Sequence, residues 1–477
     1  MSESYDIPLL RFGTAYDSLT KSELCDCRDG TILATVSQAN AGLITRDLSR
    51  VSDLTTNAFT HPIGELLERF PVAADAFLNA SLPLGASATQ SPEAYLNVLS
   101  ASCGLPQSLC RANMQKIAHV LKTMPQVLRG LSRAIDLDVI DCGMIEQDGV
   151  ALSYLRSADV LGAILPNNSP GVNNLWLPAT ALKYPVALKP GRQDPWTPMR
   201  LIQALIHAGV SPSAFGYYPA GHDAAQRIME GAGRALIFGD VKTVSRYANN
   251  PAVSVHGPGY SKVIVGEDMV DDIDTVTQVI VDSIVRNGGR SCINASTIIV
   301  PRHADEIAES VAQRLVEHRP RPLEDDDATL AGFMSAPMGE SIDAAIDDAL
   351  LTPGASDVTA RFRDADRLET LEGLTYLHPT LIRCEKLDHP LARTEYMFPF
   401  ASLVELSPEQ SFDWIGPTLA ATILTEDKGL KRKAMACADI ARLNLGALAT
   451  SSVEWDQPHE GNLFEFLYHR RAIQGSL

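Results

Sequence analysis

The chain has 477 residues, 45% of them hydrophobic and 21% charged, which is a globular composition with apolar content for two or three domains. Lys and Arg total 40 against 58 Asp and Glu, and the resulting net charge of −18 argues against nucleic acid or anionic membrane as the main partner. Because neither a signal peptide nor a long uncharged apolar stretch is apparent, a cytoplasmic protein without a membrane partner is expected.

The first part of the chain is predicted to be mostly helical. Residues 1–135 contain apolar residues at helical spacing, most clearly in 48–80 and 92–135. The segment 138–155 is predicted to form a β-hairpin, since two strand-like runs flank the turn sequence Asp148-Gly149. A lone hairpin needs a surface to pack on, so we expect it to contact a second subunit in a homodimer or homotetramer.

Short apolar runs then alternate with helical segments between residues 159 and 256. The predicted strands are 160–165, 186–189, 215–218 and 235–238. The predicted helices between and after them are 173–182, 198–207, 223–230 and 242–248. This alternation predicts a parallel sheet with helices on both faces.

A second α/β unit begins near residue 257. Helices are predicted over 272–286 and 304–316, and strands over 296–300, 376–383, 401–406 and 419–424. Residues 320–328 and 353–369 are rich in proline or charge and are predicted to be surface loops.

The segment Asn287-Gly-Gly-Arg-Ser-Cys292 contains the strongest candidate nucleophile. Its two glycines allow the backbone to turn sharply just before the thiol, and Arg290 could stabilise a thiolate. The alternative is a buried free cysteine beside a glycine turn. Since Cys25 and Cys27 fit no common zinc spacing, the cysteines are expected to be reduced thiols, and no metal site is predicted.

Other candidate site residues follow the predicted strands, where α/β sheets bind ligands. Asn168 could donate its amide to an oxyanion. Lys189 could bind a ribose and Arg192 a phosphate, while Gly239 and Asp240 form a strand-to-helix turn that could hold a pyrophosphate. Each pattern alone is equally explained by turn formation or by solvated charge.

The order of these motifs resembles the aldehyde dehydrogenase superfamily. The resemblance covers roughly residues 135–450 and rests on Pro166-Asn-Asn168, Lys189-Pro, Phe238-Gly239, His256-Gly-Pro-Gly259, Asn287-x-Gly-x-x-Cys292 and Glu395 before Phe398-Pro399. It implies an α/β, aldehyde-dehydrogenase-like fold with a Rossmann-type nucleotide-binding domain, an α/β catalytic domain and a β-hairpin oligomerisation arm. The implied domains are a cofactor-binding domain over 1–137 and 156–256, an arm and tail over 138–155 and 451–477, and a catalytic domain over 257–450.

The resemblance also implies roles for single residues. Cys292 matches the nucleophile, Asn168 the amide that receives the oxyanion, and Lys189 the residue that holds the adenosine ribose. Glu395 matches the glutamate that orients the nicotinamide ribose. In the family a glutamate at the position of Arg192 often repels a 2′-phosphate, so NADP is expected to be accepted as well as NAD.

One departure from the family concerns the fate of the acyl group. Hydrolytic members carry a glutamate near the position of His256, whereas Gly-Pro-Gly looks like the coenzyme-A-acylating members. We therefore favour acyl transfer between an aldehyde or acyl thioester and coenzyme A, with hydrolysis by His256 as base as the alternative. Two rival classes are a cysteine hydrolase or acyltransferase that pairs Cys292 with His256, and a non-catalytic structural relative.

Overall fold

Two seven-stranded, mostly parallel sheets organise the computed structural model, which describes residues 4–85 and 88–474. In spatial order, the first sheet contains Val253–His256, Gly233–Phe238, Val160–Ile164, Val186–Lys189, Phe215–Tyr217, Leu9–Arg11 and Thr14–Tyr16. Its first five strands are parallel, as the alternating pattern predicts. The chain order reverses between Val160–Ile164 and Gly233–Phe238, and open α/β sheets bind ligands at such a switch point.

Helices cover this sheet and form most of the N-terminal region. They are Ala41–Leu48, Val51–Leu54, Ile63–Leu67, Arg69–Asn79, Pro92–Cys103, Gln107–Lys122, Met124–Leu131, Leu177–Ala181, Trp196–His207, His222–Gly231 and Val241–Val244, with a 3₁₀ helix at Pro170–Leu175. The helical predictions for 48–80 and 92–135 are therefore confirmed. No helix within the described ranges combines the length and the apolar character that spanning a membrane requires.

The helical prediction is wrong for residues 5–37. Tyr5–Ile7, Ile32–Ser37 and Lys21–Cys25 form a separate three-stranded sheet. Leu9–Arg11 and Thr14–Tyr16 extend the first large sheet in antiparallel fashion. Most of these strands have only three residues, which is too short for a readable alternation, and pairing with neighbouring strands fixes their conformation.

The second large sheet belongs to the unit that carries Cys292. Its spatial order is Ala355–Asp357, Thr380–Cys384, Phe400–Glu405, Ala295–Val300, Ser261–Val265, Thr418–Leu424 and Ile440–Leu445. Its helices are Ile273–Val285, Ala304–Leu315, Ala336–Leu350, Pro408–Trp414 and Lys428–Ala436. The prediction of a single strand over 376–383 is wrong. Pro379, which cannot donate to a ladder, separates Leu374–Leu377 from Thr380–Cys384, and the former pairs with Leu368–Leu371.

The predicted hairpin is present in a shorter form. Strands Ile145–Gln147 and Val150–Leu152 pair around Asp148 and Gly149, whose φ values of 52° and 73° fit a type I′ turn. Residues 139–142, predicted as strand, instead form a short helix that ends at a left-handed glycine. A following strand, Tyr154–Arg156, pairs with Tyr468–Arg470 and so brings the end of the chain beside the hairpin.

Candidate active site

The loop before Cys292 makes the sharp turn that its glycines predict. Asn287, Gly288 and Gly289 have φ values of 56°, 63° and 72°, in the left-handed region that favours glycine. A Cβ at Gly289 would overlap the backbone of Phe398, so a side chain has no room there. The prediction of a glycine turn is confirmed, and the turn carries Cys292 into a cavity.

Amide side chains tie this loop to the first sheet and its helices. Asn113 Nδ2 donates to Asn287 Oδ1 at 2.7 Å, and Asn287 Nδ2 donates to Ser169 Oγ at 3.1 Å. Asn168 Nδ2 donates to the Arg290 carbonyl at 3.0 Å, which leaves its second N–H free of that bond. The contacts fix the amide of Asn168 beside the cysteine loop, although the two segments come from different sheets.

A cavity of about 470 Å³ collects most of the predicted site residues. Its lining includes Cys292, Asn168, His256, Gly239, Asp240 and Glu395. Lys189 and Arg192 are not among its lining residues. Lys189 is the last residue of the strand Val186–Lys189, and Arg192 lies in the loop after that strand. The tertiary structure therefore brings together residues from the switch point of the first sheet and from the loops of the second unit.

The thiol of Cys292 lies in a charged environment. Burial, followed by the carboxylates of Glu460 and Glu395, raises the pKa of Cys292 above its ordinary value, and the charge of Lys116 acts in the opposite direction. The resting thiol is thus protonated at neutral pH and must lose its proton before it can act as a nucleophile. Lys116 and Glu460 carry no recognisable sequence motif, and our sequence reasoning missed both.

Arg290 does not have the role expected of it. Its buried guanidinium donates to the backbone carbonyls of Cys103, at 2.8 Å, and Gly332. These carbonyls need donors because they are buried. The guanidinium therefore joins two backbone segments, and the prediction that it stabilises the Cys292 thiolate is wrong.

His256 and Glu460 form a hydrogen-bonded pair in the same cavity. His256 Nδ1 lies 2.5 Å from Glu460 Oε2, and its Nε2 lies 3.1 Å from the hydroxyl of Ser254. The imidazole also stacks on the ring of Phe238 at a centroid distance of 4.5 Å. Since both ring nitrogens are bonded and the His256 side chain is 7% exposed, the Glu460 carboxylate, 23% exposed, is the more accessible group of the pair.

Glu460 reaches the cavity because its segment is anchored on both sides. Arg442, on the last strand of the second sheet, donates to the carbonyls of Pro458 and Glu454. Asn462 donates to the Leu131 carbonyl at 2.8 Å. The glutamate missing near residue 256 is the sequence signal that could have prompted a search for a carboxylate elsewhere, such as Glu460.

The predicted cofactor residues lie along the carboxyl edge of the first sheet. Lys189 ends its strand and is half-buried, which lowers the pKa of its ammonium group. Arg192 is exposed beyond it. Asp240 accepts from the Thr243 N–H at 2.7 Å and caps its short helix, so a carboxylate already lies where a pyrophosphate was expected.

Glu395 uses both carboxylate oxygens within the protein. They accept from the backbone N–H groups of Gly259, at 3.2 Å, and Tyr260, at 2.5 Å. Burial raises the pKa of Glu395 to about 7. In this arrangement Glu395 holds the 257–260 loop against the cavity. A ribose hydroxyl that binds Glu395 would share a carboxylate oxygen with one of these N–H groups or replace it.

Comparison with known sequences identifies relatives. A sequence profile of the Aldehyde dehydrogenase family matches residues 85–450. Aminoacetaldehyde dehydrogenase of Pseudomonas aeruginosa is 26% identical over 305 residues, covering 61% of this chain and 58% of that protein. Mitochondrial aldehyde dehydrogenase of Leishmania tarentolae is 24% identical over 258 residues, covering 52% of this chain and 50% of that protein. The chain thus spans about half the length of these curated relatives.

Solved structures match over almost the whole chain. Indole-3-acetaldehyde dehydrogenase, solved with NAD+, gives a TM-score of 0.81 at 17% identity, covering 98% of this chain and 96% of that chain. The aldehyde dehydrogenase KauB of Pseudomonas aeruginosa gives 0.80 at 16% identity, covering 99% and 97%. These likenesses concern the fold. Because the family profile spans well over half of the chain and includes both Asn168 and Cys292, the chain belongs to the aldehyde dehydrogenase family.

Proposed function

We propose that the protein oxidises an aldehyde to a carboxylic acid with NAD or NADP, through a thioester on Cys292 that water hydrolyses. The observation that supports the second step, hydrolysis of the thioester, is the His256–Glu460 pair in the cavity of Cys292. Hydrolysis requires a base beside the thioester, and a carboxylate held by an imidazole supplies one. The pair thus favours the hydrolytic alternative over the transfer to coenzyme A that the Gly-Pro-Gly segment suggested.

The oxidative half begins at the thiol. The Cys292 thiol loses its proton to solvent, the resulting thiolate attacks the aldehyde carbon to form a C–S bond, and negative charge develops on the former carbonyl oxygen. The free N–H of Asn168 and the backbone N–H of Cys292 receive that charge. A bound nicotinamide supplies the chemistry of accepting the hydride from this carbon. The C=O bond then re-forms, and the acyl group remains on Cys292 as a thioester.

The hydrolytic half uses the pair. Glu460 takes a proton from water, the water oxygen attacks the thioester carbon, and the Cys292 thiolate leaves as the acid forms. A second cavity of about 360 Å³ adjoins the pair and contains Asn174 and His459. In the described part of the chain, the buried amide atoms of Asn174 and Nδ1 of His459 lack protein partners. Such polar atoms fit bound water and give it a route to Glu460.

Transfer to coenzyme A is the second candidate. The Gly257-Pro258-Gly259 segment favours it, because this segment looks like that of the coenzyme-A-acylating members. In addition, a thiol acceptor needs no strong base. The structure offers a separate reason for one of these glycines, because a Cβ at Gly259 would overlap the carbonyl of Cys292. The segment is thus compatible with either acceptor, whereas the His256–Glu460 pair favours water.

The experiment is aldehyde oxidation followed with and without coenzyme A, using NAD and NADP in parallel. We expect full steady-state turnover to free acid without coenzyme A. A single burst of reduced cofactor that becomes steady turnover only when coenzyme A is added would instead establish acyl transfer. Absence of cofactor reduction with every aldehyde tested would reject the oxidation itself.

Residues along the carboxyl edge of the first sheet fit a dinucleotide. Lys189 ends one parallel strand, has no acceptor among the described residues and can donate to a ribose hydroxyl. Arg192 is exposed nearby and can pair with a phosphate. Gly239 packs against the Thr243 side chain and keeps the turn after its strand close. The capped helix after Asp240 is the one feature that does not suit a pyrophosphate.

Arg192→Glu should change the choice of cofactor. A guanidinium attracts the 2′-phosphate of NADP, and a carboxylate repels it. We expect kcat/KM with NADP to fall about tenfold or more relative to NAD, the scale of one charge-assisted hydrogen bond. The check is the ratio of kcat/KM for the two cofactors in both proteins. An unchanged ratio would show that Arg192 stays in solvent.

Asn168→Ala should slow turnover by about a hundredfold, the range for loss of one oxyanion donor. The amide is held beside the cysteine loop by its bond to the Arg290 carbonyl. The effect should appear in kcat for cofactor reduction under saturating substrate. Asn167→Ala is the neighbouring control, because the Asn167 side chain instead accepts from the Gln193 N–H at 3.0 Å. Near-normal turnover of Asn168→Ala would rule out the oxyanion role.

The hairpin should mediate self-association. Val150 on the hairpin is 49% exposed, and Leu155 on the strand that follows it is 37% exposed. Exposed apolar side chains on small two-stranded elements favour a covering surface. We expect a dimer or tetramer by light scattering at micromolar concentration, and smaller species for Val150→Asp. A monomeric mass for the unaltered protein would contradict this assignment.

A further inference from the structure

We propose that the substrate is an aldehyde with an anionic group, a carboxylate or a phosphate, on the part of the molecule away from its carbonyl, and that Lys116 binds that group. The inference rests on the proposed function, because it needs the aldehyde carbon at Cys292. It concerns a further residue in the lining of the same cavity, the ammonium group of Lys116.

Lys116 faces the cavity because of its position on a helix. It lies on Gln107–Lys122, three residues after Asn113, and positions three apart share one helix face. The Asn113 side chain binds Asn287 of the cysteine loop, so this face points toward the nucleophile. Lys116 lines the cavity together with Val172 and Leu175. The geometry therefore places a cation near the reacting thiol but on a different element.

The ammonium of Lys116 has no acidic partner. No carboxylate forms an ion pair with it among the described residues, and its Nζ lies 5.6 Å from the ring centroid of Trp455. Arg111, on the same helix, is paired at the surface with Asp326 at 3.1 Å. A half-buried ammonium without a counter-charge is unfavourable, and a bound anion would remove that cost.

The charges that act on Lys116 differ from those that act on Cys292. Burial, and then the positive charge of Arg286, lower the pKa of Lys116, and Arg442 acts in the same direction. The carboxylates of Glu395 and Glu460 act on Cys292 instead. The cavity thus contains, besides the carboxylates that act on Cys292, an ammonium group without a carboxylate partner among the described residues, and this group would attract the negative tail of an aldehyde.

A different role for Lys116 is conceivable, because its charge also lowers the pKa of the Cys292 thiol. A residue that only stabilises the thiolate would change every reaction of Cys292 by the same factor. A residue that binds the substrate anion would change only the reactions of negatively charged partners. The ratio between anionic and neutral reactants therefore separates the two roles.

The first experiment measures kcat/KM for aldehydes of three to six carbons that end in a carboxylate, a phosphate, an ammonium or a methyl group. We expect an anionic member to be preferred over its methyl-terminated counterpart by about tenfold or more, on the scale of one charge-assisted hydrogen bond. This preference should be lost in both Lys116→Met and Lys116→Gln. Lys122→Met removes an exposed cation from the same helix and should leave it intact. Equal ratios in the original and variant proteins, or a preference for the ammonium aldehydes, would overturn the proposal.

The second experiment needs no turnover and so remains decisive if aldehyde oxidation itself fails. The rate of Cys292 alkylation is measured with N-ethylmaleimide and with its anionic analogue 3-maleimidopropionate, and Cys292→Ser identifies the labelled thiol by mass spectrometry. We expect Lys116→Met to lower the anionic-to-neutral rate ratio several-fold, while Lys122→Met leaves it unchanged. A decrease of both rates by one common factor would assign Lys116 to thiolate stabilisation and reject anion binding.

Discussion

Cys292→Ala is expected to lower turnover at least a thousandfold, because it removes the group that forms the covalent intermediate of the proposed reaction. Alanine fits where the thiol lies and leaves the hydrogen bond from Ser261 Oγ to the Cys292 carbonyl, at 2.9 Å, available. The loop conformation depends on Gly288 and Gly289 and is also preserved. The loss should therefore appear in kcat, and cofactor binding should remain close to normal.

The measurement is steady-state cofactor reduction, with cofactor binding followed separately by fluorescence. Cys142→Ala is the matched control, because that thiol is exposed on a short helix near the hairpin. It should leave kcat unchanged. Retention of most activity in Cys292→Ala would exclude covalent catalysis by this thiol and return attention to a non-catalytic or different role.

Glu460→Gln is expected to slow hydrolysis of the thioester by about a hundredfold to ten-thousandfold, the range for loss of a general base. An amide keeps the shape of the side chain and can still accept from His256, but it cannot take a proton from water. The oxidative half does not need this base for hydride transfer. The variant should therefore reduce about one equivalent of cofactor rapidly and then stall.

Rapid mixing with an aldehyde separates the burst from the steady state, and hydroxylamine, which attacks thioesters directly, should restore turnover. Glu454→Gln is the control in the same segment, since that side chain is exposed and only its carbonyl contacts Arg442. His256→Gln should slow hydrolysis less than Glu460→Gln if the imidazole only positions the carboxylate. A larger loss in His256→Gln, with nearly normal Glu460→Gln, would make His256 the base, which was the alternative drawn from the sequence.

The sequence alone determined the local features. Glycines at 288 and 289 adopt the left-handed conformation that their side-chain-free backbone allows, and a turn of this kind could be predicted from residue type. Strands such as Val160–Ile164 are continuous apolar runs, which a sheet buried on both faces requires. The motif order linked Asn168 to Cys292 through the family resemblance, and the matched residues of the family profile include both positions.

Only the tertiary structure decided which charges meet at the thiol. Arg290 is two residues from Cys292, yet buried carbonyls of Cys103 and Gly332 hold its guanidinium elsewhere. Lys116 and Glu460 are far away in sequence, yet a helix face and an anchored C-terminal segment bring them into the cavity. Electrostatic contacts depend on distance and burial, which follow from how distant elements pack rather than from spacing along the chain.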